Sequence, residues 1–222
     1  MFNDPDGLAQ LDALGVKTTP VVARGNDYVL GQVITDVAKF LGLKFEGGPA
    51  LTPKQLVGKA DMVLAAAQRF APQIPQDKFG ELLPMSGRKR TYRELAHHLV
   101  RIQEAMMEAT QGVEFTIEQP VRPPADSITK PAQIADYAAG VQRRLREWWA
   151  AQEQTDPNCR KVVKTYFGDQ PLAVLLERCA WHSAQHTRQL QYLLGRMGIE
   201  PDQPLTADDL KGLPLPEKVW EE

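Results

Sequence analysis

His182 and His186 stand four residues apart, and on a helix turning about 100° per residue that spacing stacks both imidazoles on one face. Around them runs an apolar series, Leu172, Leu175 and Cys179, then Leu190, Leu193 and Met197, and the two histidines fill its gap where a core takes leucine. A second pair, His97 and His98, is adjacent. Against the stripe of Leu95, Leu99, Ile102, Met106 and Ala109, His98 lies about 60° from the centre and His97 about 160° away. His98 is therefore expected to face the core and His97 the solvent. Three imidazoles aimed at one interior bring polar nitrogens that burial penalises unless they find partners. A divalent metal ion held by His98, His182 and His186 is such a partner. Imidazole suits zinc first, and nickel or iron(II) as well, and three ligands leave a coordination position open for chemistry. A core histidine satisfied by a hydrogen bond is the alternative reading of each residue taken singly.

Proline marks out the elements that must carry these residues. The prolines gather at 49–53, 72–84, 120–131, 157–171 and 201–216, leaving proline-free windows at 54–71, 85–119, 132–156 and 172–200. Each window holds a helical period. Leu56, Ala60, Val63, Ala67 and Phe70 mark the first, and Ile134, Tyr137, Val141, Leu145 and Trp148 the third, while Thr91 and Gly112 are the expected start and stop of the second. Four helices, each with one apolar face, predict a four-helix bundle over 53–200. The proline-rich segment 111–131 is expected to cross one end of it as an extended stretch. Residues 1–47 read as helix, strand, strand, helix, with Asp6 to Leu14 ended by Gly15, then TPVVAR, a turn at Asn26-Asp27, DYVLG, and Gln32 to Leu41 ended by Gly42. The tail, 201–222, is expected to lie along the surface as a strap. The fold class is mainly α with a small α/β element.

Charge and composition narrow the partners. Lys and Arg number 26 against 28 Asp and Glu, a net charge of -2, with no long single-sign run to suit a nucleic acid. Mean hydropathy is -0.36 and no apolar run reaches the roughly 18 residues of a membrane span, so a cytoplasmic protein acting on a small molecule is expected. Cys159 and Cys179 form no CxxC pair, which disfavours a redox dithiol or a cysteine-rich zinc site.

The segments YRELAHHL and WHSAQHTRQLQYLLGRMGI resemble the DinB-like metalloprotein superfamily, over about 53–200. In that family a histidine on the second helix and an HxxxH pair on the fourth helix of a bundle bind a divalent metal. The resemblance implies His98, His182 and His186 as ligands and leaves His97 outside. It does not fix the reaction, because members include thiol-dependent transferases and isomerases.

The segment LDALGVKTTPVVARGNDYVLGQVITDVAKFLGL is similar to the C-terminal half of a glutaredoxin, a truncated thioredoxin-like unit. The resemblance implies a cis-proline loop in which Thr19 and Pro20 offer backbone groups to glutathione, with Gly31 and Gln32 weakly matched. No CxxC accompanies it, so no dithiol chemistry carries over. A packing element without a ligand is the alternative. The exposed edge of a lone hairpin invites a second copy, and a homodimer is expected.

Smaller expectations attach to neighbours of the histidines. Cys179 reads as a core residue rather than a fourth ligand. Arg178 and Gln185 flank the histidine face, where they either orient an anionic substrate or reach to solvent. Glu94 either supports His98 from one turn away or pairs at the surface with Arg101 or a lysine. One of Trp148 and Trp149 is expected in the core and the other at a groove or interface. Together these readings point to a metal-dependent enzyme that uses glutathione or a similar thiol in transfer to, or isomerisation of, a small electrophile. No protein general base is identified. A non-catalytic metal- or ligand-binding bundle and a thiol-independent hydrolase are the alternatives.

Overall fold

Helix ends fall where proline, glycine or a capping side chain can satisfy the backbone. The computed structural model describes residues 5–16, 19–44, 51–84 and 89–220. The end of the predicted N-terminal element, 45–47, and the start of the second proline-free window, 85–88, lie outside the described residues. The chain divides into two compact units, Met1–Gly48 and Pro49–Glu222.

The smaller unit runs α1 (Pro5–Ala13), β1 (Val21–Arg24), β2 (Asp27–Leu30) and α2 (Ile34–Leu41). Gly15 and Gly42 follow its helices at φ of 67° and 70°, a left-handed conformation that glycine adopts without strain. β1 and β2 pair antiparallel, Val21 opposite Leu30 and Arg24 opposite Asp27. The turn is Gly25-Asn26, one residue earlier than the sequence suggests, because Gly25 takes the positive φ. The Thr19–Pro20 peptide is cis. Among the described residues of this unit, Val16, Val37 and Ala38 are the buried apolar side chains.

The larger unit is built on α3 (Pro53–Phe70), α4 (Tyr92–Thr110), the short α5 (Glu118–Val121), α6 (Pro131–Thr155), the strands β3 (Val162–Thr165) and β4 (Gly168–Pro171), and α7 (Leu172–Arg196). Each of the four long helices falls in one of the four proline-free windows, within a residue at its start, and α4 takes only the middle of the second window. Thr52 and Thr91 each close a capping box, with Gln55 and Glu94 respectively, so backbone donors at both helix starts are satisfied by side chains. α3 and α4 each pack against both α6 and α7, so consecutive helices α3 and α4 lie across the bundle diagonal. Leu56, Val63, Phe70, Leu95, Leu99, Ile102, Met106, Ile134, Val141, Leu145, Leu175 and Leu190 form the fully buried centre. Each such side chain contributes about 1.5–3 kcal/mol by leaving water.

The crossover from α4 to α6 is not simply extended. It contains α5, and Phe115 bridges to Thr165 of β3. Arg93, in the first turn of α4, fastens it by donating to the carbonyls of Ala125 and Ile128, both at 2.7 Å. The β3–β4 hairpin occupies a stretch that the proline pattern marks only as a break; Gly168, at φ 103°, makes its turn. Residues 201–220 have no helix or strand and run along the bundle, burying Leu205, Leu210 and Leu213. Among the described residues, no helix is long and apolar enough to cross a membrane.

Candidate metal centre

α4 is enclosed on several sides, by α6, α7 and α5, and this decides the fate of both its histidines. His98 points toward α7 and meets His182 and His186, with ring centroids 5.3 Å and 4.6 Å away. The His182 and His186 rings are 4.8 Å apart, and their Nε2 atoms 3.1 Å. One ligand nitrogen from each of the three residues lies within 4.8 Å of the others, so the cluster can hold a metal ion. Among the described residues no carboxylate or thiol completes the group.

The far nitrogens select the tautomers. His98 Nδ1 lies 2.6 Å from the Pro120 carbonyl, which only accepts, so Nδ1 carries the proton and Nε2 keeps its lone pair. His186 Nδ1 lies 2.7 Å from Gln189 Oε1 and takes the same role. Burial, reinforced by the neighbouring His186, holds the His98 and His182 pKa values well below the usual histidine range, and Arg90 acts on both in the same direction. Those two imidazoles are therefore neutral near pH 7. Three imidazole nitrogens close to one another, with the opposite nitrogens of His98 and His186 tied down, fit a divalent ion. Two ligands at about 2.1 Å from one ion stand about 3.0–3.4 Å apart, which brackets the His182 to His186 separation.

Several neighbours are placed differently from expectation. His97 is buried, 6% exposed, with its ring stacked on Tyr137 at 5.0 Å and 12°. The one-stripe reading put it in solvent because it assumed that α4 has an outer face, whereas α6 covers that face. Burial, with Arg101 second, pushes its pKa down to about 4. Glu94 is neither a support for His98 nor a partner of Arg101, since its carboxylate caps Thr91 at 2.7 Å. Arg101 is itself buried and bonds Glu108, Glu104 and Gln119. Gln185 turns away from the histidines and donates to the Val219 carbonyl. Cys179 is fully buried, with burial pushing its thiol up to about 12. Trp149 is buried and Trp148 half-buried.

Pro120 and Gln189 escaped the sequence reading. Gln189 was within reach, since it follows His186 by three on the same helical face. Pro120 was not, being 22 residues from His98. Gln103 was missed too: it is buried and ties α4 to α7 by donating to the Cys179 carbonyl and Ser183 hydroxyl at 2.8 Å and 2.9 Å. Thr19 and Pro20 lie in the smaller unit, where their carbonyls accept from Gln32 Nε2 and Gly31 N. A cavity of about 770 Å³ lies between residues 201–219 and the face of α7 bearing Arg188, Gln191 and Tyr192, away from the histidine face.

Residues 82–190 match the family model of the DinB superfamily. A DinB superfamily domain thus contains all three clustered histidines. The match does not reach residues 1–47, and no comparison supports the glutaredoxin resemblance there. No curated protein and no solved structure matches the chain.

Proposed function

We propose that the bundle is a metal-dependent enzyme that uses a low-molecular-weight thiol, glutathione first among them, in transfer to or isomerisation of a small electrophile. The observation that carries this reading is the convergence of His98, His182 and His186 with the outer nitrogens of His98 and His186 already engaged. A divalent ion held there supplies Lewis acidity that lowers the pKa of a thiol in an adjacent position. In the transfer reaction the thiolate sulfur bonds the electrophilic carbon as the leaving group departs, and the thiol proton passes to solvent. The three histidines hold and orient, and the buried apolar wall of the bundle limits water. Glutathione contact at Thr19 and Pro20, a homodimer and a cytoplasmic location belong to the same proposal.

Metal analysis of protein purified without chelator should give close to one zinc, nickel or iron per chain. Turnover of 1-chloro-2,4-dinitrobenzene by that protein should depend on glutathione and stop when the metal is removed. A metal-loaded protein that turns over no electrophile supports the non-catalytic bundle instead, and turnover of an ester without thiol supports the hydrolase.

A further inference from the structure

Arg178 precedes His182 by one helical turn on the same face of α7, so their backbones are about 6 Å apart along the axis. Its guanidinium carbon lies 5.7 Å from the Tyr166 ring, 5.3 Å from Phe167 and 5.9 Å from Trp181. Tyr166 and Phe167 come from the tip of the β3–β4 hairpin, and the Tyr166 hydroxyl accepts from Arg178 Nη2 at 2.6 Å. Trp181 also reaches the histidines, its ring 5.6 Å from that of His182. Three aromatic rings, one of them also through its phenol hydroxyl, thus fix one arginine beside the candidate metal centre.

No acid balances it. Among the described residues Arg178 makes no ion pair, and its Nε is buried without a hydrogen-bond partner. Arg101, in the same bundle, meets Glu104 and Glu108. A half-buried guanidinium costs desolvation, which aromatic faces offset only in part. A divalent ion held by the histidines beside Arg178 would make a positive site that an anion balances.

Building on the metal-dependent thiol reading above, we propose that the thiol completing this site carries a carboxylate and that Arg178 binds that carboxylate. The Nη groups of the guanidinium retain donors beyond the one given to Tyr166 and can bind a carboxylate, and the position one turn from His182 sets a short span between the sulfur and the carboxylate.

The test is a titration of the full-length protein loaded with Co²⁺, following the near-ultraviolet thiolate-to-cobalt absorption. The probes are 3-mercaptopropionate and its methyl ester, compared at equal thiolate concentration. The free acid should bind at least about tenfold more tightly than the ester. Arg178→Gln should bring the two probes to the same affinity with cobalt content retained, and Arg178→Lys should restore part of the difference. Equal affinities in the wild-type protein, or a preference that survives Arg178→Gln, overturns the proposal. Should Arg178→Gln fail to fold, Tyr166→Phe decides: it keeps the charge but frees the guanidinium, so the preference should narrow, and an unchanged preference overturns the assignment. No absorption with either thiol overturns the metal-thiol reading and this proposal with it, whereas a band without charge preference overturns this proposal alone.

Discussion

The Nδ1 atom of His98 lies 2.6 Å from the carbonyl oxygen of Pro120, so the crossover between α4 and α6 determines which nitrogen of a helical residue is offered to the cluster. Gln119, next in the chain, accepts from Arg101 at 2.9 Å, which fastens the same short helix to α4. Orientation of His98 thus comes from outside the helix that carries it, whereas that of His186 comes from Gln189 on its own helix.

His182→Ala removes one of three converging nitrogens without disturbing the apolar stripe of α7. Bound metal should fall to a small fraction of the wild-type content while the helical circular dichroism is retained. Mass-spectrometric metal analysis of the two proteins checks this, and equal content would show that the cluster is not the metal site.

Gln189→Leu deletes the acceptor for His186 Nδ1 and also the donor to the Val219 carbonyl at 3.1 Å. The imidazole is then free to rotate or change tautomer. Zinc affinity should weaken by about 10–100-fold, the usual cost of losing such an outer partner, as read by competition with a chromophoric chelator. An unchanged affinity would mean that Gln189 only holds the strap.

His97→Ala empties a buried volume against the Tyr137 ring. It should cost about 1–3 kcal/mol in urea denaturation and leave metal content unchanged, because this imidazole faces α6 rather than the cluster. A variant as stable as wild type would restore the solvent-facing reading of this residue.

Thr91→Ala breaks the capping box that starts α4, two turns before His98. A loss of about 1 kcal/mol, seen as a Tm lower by about 2–4 °C, is expected in calorimetry.

Both thiols should be silent in the folded protein. Cys159 and Cys179 are fully buried, and burial raises their pKa values to about 11 and about 12, so at pH 8 neither offers a thiolate. Ellman's reagent should report no fast thiol until guanidinium chloride is added, and then both. Rapid labelling of the native protein would contradict the burial of these residues.

The sequence alone determined the four helices, the Thr91 cap of the second and the histidines that could share a site. These features are local: proline breaks, a 3.6-residue apolar period and an i, i+4 spacing depend only on neighbours along the chain. Tertiary structure decided the rest. Whether His97 meets water depends on how many helices surround α4, and a stripe cannot show a second covered face. That Pro120 holds His98, that Val219 engages Gln185 and Gln189, and that the β3–β4 hairpin brings Tyr166 to Arg178 are contacts between segments with no fixed spacing in sequence. Only packing selects them, because a buried polar group takes whichever partner the folded chain brings within reach.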